Sequence, residues 1–271
     1  MAGRRPMAGS VVQGLGIGIG LVAMIGGFLL IALQYRPYSV PTDSMEPTIA
    51  AGDTVLAHTV SGATPGAIGR GDIVVFNDPA WENSDLVKRV IAIGGDTVKC
   101  CDAKGRVTVN GVPVDEPYLD QPAGQAIGQV PQQFTAKVPA GRLWLMGDNR
   151  AVSADSRVHL DQLGGTVPAS DVVARVEGVA WPLGSMSGID RTSAFDAVPG
   201  QDASAHGPLV AATWATFGGA ALVLITAAAG SFAGMANRFR SRRSGGPGAS
   251  GPSGPSDGPR ESRSAASAGT P

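Results

Sequence analysis

The sequence predicts a mainly β domain of antiparallel sheets that lies between one N-terminal and one C-terminal transmembrane helix. Two long blocks without a charged residue predict the helices, and short runs rich in Val and Ile between turn residues predict the strands. The 271 residues include 39 Gly and 20 Pro, which argues against one large close-packed domain. A formal charge of −1 provides no basic field of the kind that attracts nucleic acid, so we expect no nucleic-acid partner.

The first uncharged block covers residues 11–33, and its 23 residues would form a helix about 34 Å long, enough to cross a bilayer. A cleaved signal peptide is the alternative, because Arg4 and Arg5 precede the block, but the block is longer than the apolar region of a signal peptide. We therefore expect a cytoplasmic N-terminus over residues 1–10 and a permanent transmembrane helix over residues 11–35. GxxxG spacings among its glycines are common in any Gly-rich segment, so they predict no dimer and we expect a monomer.

The second uncharged block covers the 27 residues 209–235 and predicts another transmembrane helix, over residues 208–236. Residues 237–271 carry six Arg and two acidic residues, whereas residues 34–208 carry 13 Lys or Arg and 20 acidic residues. Because positive charge is retained on the cytoplasmic side, we expect both termini in the cytoplasm and the middle segment outside the cell membrane. The final segment, residues 237–271, consists mostly of Gly, Ser, Pro and Ala, so we expect a disordered cytoplasmic tail.

Residues 36–205 form the expected extracytoplasmic domain, which is long enough for one domain of ordinary size. Asn110 and Gly111 predict a tight hairpin, because both residue types tolerate positive φ. Residues 116–133 contain Pro, Gly and Gln with little periodicity and predict a surface loop. The strand-like runs cover residues 53–60, 72–76, 86–93, 106–110, 142–146 and 171–181.

A candidate nucleophile is Ser44, which lies between Pro41 and Pro47 in the segment PTDSMEPT. The prolines restrict the backbone on either side, so the hydroxyl would lie on a stiff, exposed turn. A serine in a proline-rich linker would look the same, and a nucleophilic serine also needs a base. The surroundings of the three histidines favour structural or solvated side chains, so a His-based triad has little support. These are His58 in a strand-like run, His159 in a loop and His206 beside the second block.

A candidate base is Lys88, which with Arg89 interrupts the apolar run LVKRVIAI. Successive strand residues face opposite ways, so one basic side chain is expected to reach solvent while Lys88 points to the side of Leu86 and Val90. Desolvation there would favour the neutral amine, whereas arginine keeps its proton at any accessible pH. An edge-strand lysine with its ammonium in water is the alternative.

A third polar segment, GDNRAVSADSR, covers residues 147–157 and is dense in turn-forming and charged residues. Its Asp and Arg side chains can form charge-assisted pairs that support a site, although a plain turn-rich loop would look similar.

The two cysteines, Cys100 and Cys101, are adjacent, which matches neither a structural zinc site nor a framework of several disulfides. In an oxidising exterior they would form a disulfide or remain two thiols, and the sequence leaves this open. Because no motif predicts a metal, a nucleotide or another cofactor, we expect none.

Taken in order, the three polar segments resemble those of type I signal peptidases, membrane-bound Ser/Lys proteases that remove signal peptides from exported proteins. PTDSMEPT resembles the serine box, RGDIVVF and LVKRVIAIGGDTV resemble the strand boxes with the lysine, and GDNRAVSADSR resembles the final box. The resemblance covers residues 37–182 and implies the antiparallel catalytic fold of that family, with signal peptides and the lipid bilayer as partners.

The resemblance also implies roles for individual residues. Ser44 would be the nucleophile and Lys88 the general base, while the Ser44 N–H and the Thr42 hydroxyl would form the oxyanion hole. A signal peptide would add as an extended strand beside small apolar pockets that admit Ala. Ser153 would hydrogen-bond near the lysine amine, and the other supporting positions are Asp148, Arg150, Asp155 and Arg157. The implied substrate-binding residues are Val40, Ile49, Leu86 and Val87.

Two departures from the family pattern are Asp43, where many relatives have Gly, and a second span placed after the catalytic domain. We expect Asp43 to point outward. Two alternatives remain: a membrane-anchored, non-catalytic β domain that binds envelope partners, and a self-cleaving Ser/Lys repressor peptidase. Intact candidate residues disfavour the first, and two spans without a DNA-binding motif disfavour the second.

Overall fold

The computed structural model describes residues 7–60, 68–82, 84–119, 133–190, 192–200 and 207–244. One long helix, α1 (Met7–Gln34), precedes the β domain in the sequence, and another, α2 (Leu209–Ser244), follows it. The strands are β1 (Tyr35–Ser39), β2 (Thr54–Thr59), β3 (Ile73–Phe76), β4 (Leu86–Ile93), β5 (Thr97–Cys100), β6 (Val107–Val109), β7 (Val112–Pro113), β8 (Phe134–Lys137), β9 (Arg142–Met146), β10 (Thr166–Pro168), β11 (Val172–Trp181) and β12 (Ser187–Gly188). Short 3₁₀ helices cover Leu163–Gly165, Ala169–Asp171, Leu183–Ser185 and Ser193–Phe195.

The strands form two antiparallel sheets, which confirms the predicted fold class. The larger sheet has the order β1-β2-β11-β3-β4-β9-β10, with β12 paired to β11, and the smaller has the order β7-β6-β5-β8. In the larger sheet β4 lies between β3 and β9, and its residues from Val87 to Ala92 are buried. Candidate residues on β4 are therefore held within the interior of the domain.

Each of the six predicted strand runs contains a strand, and the Asn110–Gly111 hairpin is confirmed. Asn110 and Gly111 have φ values of 54° and 82°, and Val109 pairs with Val112 across the turn. The predicted runs omit five strands, β1, β5, β8, β10 and β12. Of these, β1 follows the first helix directly and contains Pro37. Proline is tolerated there because β1 is the edge strand of its sheet.

The two helices pack against each other in antiparallel directions through small residues. A Cβ added at Gly16 would lie 2.6 Å from the Thr226 side chain, and one at Gly27 would lie 2.5 Å from the Ala212 carbonyl oxygen. The glycine-rich face of α1 therefore contacts the second helix of the same chain. The segments Val11–Gln34 and Leu209–Phe232 are long and apolar enough to cross a membrane.

The C-terminal helix ends at Ser244, beyond the expected boundary at residue 236. The helix therefore includes the first Arg residues of the segment after residue 236, and the expected disorder of the tail stays a prediction. Residues 245–271 of the expected tail and residues 120–132 of the expected loop lie outside the described residues. Cys100 and Cys101 are joined as a disulfide.

Candidate active site

Ser44 lies on a turn that follows β1 and is anchored by apolar side chains. Met45 and Ile49 have no exposed surface, and the Ile49 N–H donates to the Met45 carbonyl oxygen at 3.0 Å. Asp43 is exposed, as expected, and its carbonyl oxygen accepts a hydrogen bond from Glu46 N–H at 3.1 Å. Buried neighbours thus hold the Ser44 side chain, of which 8% is exposed, against the domain.

Lys88 contacts this serine directly. Its Nζ lies 2.8 Å from Ser44 Oγ and 3.2 Å from the Val87 carbonyl oxygen. Only 4% of Lys88 is exposed, although β9 pairs with β4 only from Arg89 onward. The alternative of an edge-strand lysine with its ammonium in water is therefore wrong.

Burial lowers the pKa of Lys88, because a desolvated ammonium is less stable than a neutral amine. The carboxylates of Asp155, Glu82 and Asp148 oppose this effect, while the Arg157 guanidinium adds to it. The net pKa is below that of an ordinary lysine. The amine can therefore release its proton more readily than one in water.

Arg89 is buried, so the expectation that one of the two basic residues reaches solvent is wrong. Its Nε and Nη2 donate to the Asp148 carboxylate at 2.8 and 2.6 Å, and its Nη1 donates to the Gly71 carbonyl oxygen at 2.9 Å. Thr48, in the serine turn, donates to the same carboxylate at 2.5 Å. Asp148 therefore joins the strand that carries the lysine to the turn that carries the serine.

The loop over residues 147–157 contains a second buried ion pair. Arg157 donates to Asp155 through Nε and Nη2 at 2.8 and 2.7 Å, and Asp155 also accepts from the Gly147 N–H at 3.0 Å. Burial raises the pKa of Asp155, but the Arg157 guanidinium and these hydrogen bonds outweigh it, so the pKa is lowered overall. The ionised Asp155 carboxylate, which acts on Lys88, is thus already paired with Arg157.

Arg150 extends this network to Glu116, a residue that no sequence motif indicated. Its guanidinium forms an ion pair with Glu116, one bond of which is 2.9 Å, and its Nε donates to the Gly147 carbonyl oxygen at 3.0 Å. Tyr118 lies under Arg89, with its ring centroid 4.0 Å from the guanidinium carbon. Glu116 and Arg150 are 34 residues apart, so no local pattern indicated the pair.

Gly147 allows the loop to approach the serine turn closely. The Asn149 N–H donates to the Ser44 carbonyl oxygen at 3.1 Å, and a Cβ added at Gly147 would clash with that oxygen and with Ser153 Oγ. A larger residue at position 147 would therefore separate the loop from the turn.

Ser153 is buried beside Gly147, but it does not form the implied hydrogen bond near the lysine amine. Among the described residues its Oγ has no partner of ordinary hydrogen-bond geometry. Its proximity to Asp155 still helps to keep the pKa of that carboxyl low. Ser153 thus lies within the site without a hydrogen bond to Lys88 among the described residues.

The groups implied for the oxyanion hole lie together. Thr42 Oγ1 is 3.1 Å from Ser44 Oγ, and within the described part of the chain the Ser44 N–H donates to no acceptor. Both donors are therefore close to the atom that would attack a substrate.

The implied substrate-binding residues do not all lie together. Val40, Ile49 and Val87 share one core cluster with Met45, whereas Leu86 packs against a different cluster. Ile49 has no exposed surface, so a bound peptide would reach it only after its neighbours moved.

The histidines are engaged elsewhere. His58 packs edge-on against Tyr35, with ring centroids 5.3 Å apart, and His159 stacks on Trp81 at 4.4 Å. His206 lies outside the described residues. In the parts of the chain that are described, no histidine hydrogen-bonds to Ser44, and no three His, Cys, Asp or Glu side chains are grouped to hold a metal ion.

Comparison with protein families identifies the class of protein to which this chain belongs. A family model described as signal peptidase, peptidase S26, matches residues 13–181. The match covers more than half of the chain, and the chain belongs to this family. The protein is therefore a serine endopeptidase of the signal peptidase I type.

Two relatives compared by sequence agree with the family match. Signal peptidase I of Mycobacterium tuberculosis (strain ATCC 25618 / H37Rv) is 33% identical over 224 residues, covering 66% of this chain and 75% of the relative. Signal peptidase IB of Staphylococcus aureus (strain COL) is 32% identical over 174 residues, covering 60% and 86%. The crystal structure of a signal peptidase I from Enterococcus faecalis V583 is 29% identical, with a TM-score of 0.31, and covers 39% of this chain and 93% of that one.

Proposed function

We propose that this protein cleaves signal peptides from exported preproteins with Ser44 as nucleophile and Lys88 as general base. The observation that carries the proposal is the 2.8 Å contact between the serine hydroxyl and a buried amine whose pKa is lowered. Because serine is a weak nucleophile at neutral pH, it needs a base at this distance.

In the proposed reaction Ser44 Oγ attacks the carbonyl carbon of the scissile peptide bond, and Lys88 Nζ accepts the hydroxyl proton. The Ser44 N–H and the Thr42 hydroxyl stabilise the oxyanion that forms. As the peptide bond breaks, the Lys88 ammonium returns its proton to the leaving amine and an acyl-enzyme remains. A water molecule, deprotonated by Lys88, then hydrolyses the ester and frees Ser44.

The two buried ion pairs support this chemistry by fixing the reacting groups. The pair of Arg89 with Asp148 links β4 to the serine turn through Thr48. Arg157 binds Asp155 and so limits the stabilisation that this carboxylate gives to the Lys88 ammonium. The same loop, residues 147–157, also contains Arg150, which pairs with Glu116, and the buried Ser153.

The segment of β4 that carries the lysine has a strand partner on one side only, among the described residues. β3 pairs with β4 from Leu86 to Arg89, but β9 pairs with β4 only from Arg89 onward. Within the described residues, the second edge of the segment from Leu86 to Lys88 is therefore free of a strand partner. We propose that the signal peptide adds there, with its small residues near Leu86 and Val87 on β4 and near Val40. Contact with the fully buried Ile49 would require its neighbours to move.

We further propose that α1 and α2 anchor the protein in the cell membrane as a monomer. In the antiparallel helix pair the start of α1 lies beside the later turns of α2. Residues 1–10 and the segment after residue 236 both carry an excess of Arg over acidic residues. The positive charge of both segments favours the cytoplasm, with residues 36–205 outside.

Replacing Ser44 with alanine tests the proposal. We expect full-length protein in liposomes to cleave a preprotein with Ala at the first and third positions before the cut, and Ser44→Ala to lose this activity. Ser170→Ala, at an exposed position, is the matched control. A second control changes His58, His159 and His206 together to Gln and should retain turnover. Cleavage by Ser44→Ala at the wild-type rate would exclude the mechanism.

Replacing Thr42 with valine removes one of the proposed oxyanion donors. Because this donor acts mainly in the transition state, we expect kcat to fall by about 10²-fold while KM changes little. Steady-state kinetics with a soluble peptide measures both constants, with Thr59→Val as the control on an exposed strand position. A change in KM alone would contradict the role.

A further inference from the structure

A buried carboxylate lies where the two long helices join the catalytic sheet. Glu177, on β11, is 4% exposed and accepts hydrogen bonds from Tyr35 Oη at 2.6 Å, Arg175 Nη2 at 2.9 Å and the Gly207 N–H at 2.7 Å. Burial raises the pKa of Glu177, but these hydrogen bonds outweigh it and lower the pKa overall. Glu177 is therefore ionised at neutral pH and well satisfied.

The partners of Glu177 come from distant parts of the chain. Tyr35 immediately follows the last residue of α1, and Gly207 lies two residues before α2 begins at Leu209. Tyr35 and Glu177 are 142 residues apart in sequence. One carboxylate thus binds the end of the first helix and the start of the second to the same strand of the sheet.

The surrounding packing leaves little freedom at this junction. A Cβ added at Gly207 would lie 2.6 Å from Tyr35 Oη and 2.7 Å from Glu177 Oε1. The Tyr35 ring is also held by the edge contact with His58, and Leu209 is buried. Steric and polar contacts together therefore fix the position of the two helices relative to the sheet.

We propose that Glu177 is a positioning residue that fixes the catalytic sheet relative to both helices and so aligns the site with substrates held in the bilayer. Ser44 follows Tyr35 by only nine residues, across β1 and the serine turn. A membrane-held preprotein presents its scissile bond at a restricted height and orientation, so a small displacement of the sheet reduces productive encounters. A soluble peptide diffuses into the site from any direction and does not depend on this alignment.

This inference rests on the proposed function, and the test separates the two. Full-length protein in liposomes is assayed with a soluble peptide that contains the cleavage site and with a membrane-inserted preprotein of the same cleavage sequence. Tyr35→Phe removes the hydroxyl that bonds Glu177, and Gly207→Ala displaces the junction sterically. The matched controls are Tyr38→Phe, whose hydroxyl has no hydrogen-bond partner among the described residues, and Gly188→Ala, where an added Cβ meets nothing within 4 Å.

We expect both junction variants to lower kcat/KM for the preprotein by about fivefold or more while leaving the peptide rate within about twofold. Tyr35→Phe removes a hydrogen bond to a buried charge, and Gly207→Ala pushes Tyr35 and Glu177 away from the start of α2. An equal loss on both substrates would show a general structural role and overturn the inference, as would no loss on either. If the wild-type protein cleaves neither substrate, the proposed function itself fails.

Discussion

Lys88→Arg is expected to lower kcat for a signal-peptide substrate by about 10²- to 10⁴-fold, the usual contribution of a general base. Arginine is a long, positively charged side chain like lysine. It keeps its proton at accessible pH, however, and so cannot accept the Ser44 proton. Lys88→Ala should show a similar loss. Steady-state cleavage by the full-length protein in liposomes measures the effect.

The matched control for this prediction is Lys99→Arg, at an exposed position on β5, which should retain the wild-type rate. Circular dichroism of each variant shows whether the domain remains folded. Substantial activity in folded Lys88→Arg would mean that another group accepts the serine proton.

Asp148→Ala is expected to destabilise the folded domain by about 3–5 kcal/mol, because it leaves the buried Arg89 guanidinium without its counter-ion. The substitution also removes the acceptor of Thr48, so the serine turn loses a link to β4. Urea unfolding of the full-length chain in detergent, followed by tryptophan fluorescence, measures the change.

Asp161→Ala, at an exposed position, should change the free energy of unfolding little and serves as the control. The double variant Arg89→Met with Asp148→Leu removes both charges and is expected to recover part of the loss. If Asp148→Ala alone costs less than about 1 kcal/mol, the pair resembles an exposed salt bridge and the proposed buried link is wrong.

The sequence was sufficient to predict both helices and the strands β2, β3, β4, β6, β9 and β11, because their signals are local. Val- and Ile-rich runs, the Asn110–Gly111 turn and the uncharged blocks each depend on neighbouring residues. The polar segments also identified the serine and the lysine that the fold brings within 2.8 Å. Their resemblance to a known family, rather than spacing alone, indicated that the two belong together.

The supporting network was only partly predictable, since its partners are far apart in sequence. Arg89 and Asp148 are 59 residues apart, and Glu116 and Arg150 are 34 residues apart. The expectation that Arg89 reaches solvent assumed that one face of the strand is exposed. β4 instead has buried residues on both faces, where a charge remains only with a partner.

The end of α1 and the contacts of its glycines were also not predictable, because they depend on residues that are distant in sequence. Tyr35 looked like the last residue of a transmembrane span, but it begins β1 and bonds Glu177 across the fold. Gly16 and Gly27 contact the second helix of the same chain, which only the fold shows.

The protonation of Lys88 tests the central claim most directly. A ¹³C NMR titration of lysine Cε in the full-length protein, in lipid nanodiscs, would assign the Lys88 signal by its loss in Lys88→Met and use the exposed Lys99 and Lys137 as references. Because burial lowers the pKa of Lys88, the neutral amine should dominate above that pKa and cleavage should decline as the pH falls through it. We predict that Lys88 titrates below the two exposed lysines and that kcat/KM follows the same transition. Titration of Lys88 at or above the exposed lysines would contradict its role as the base.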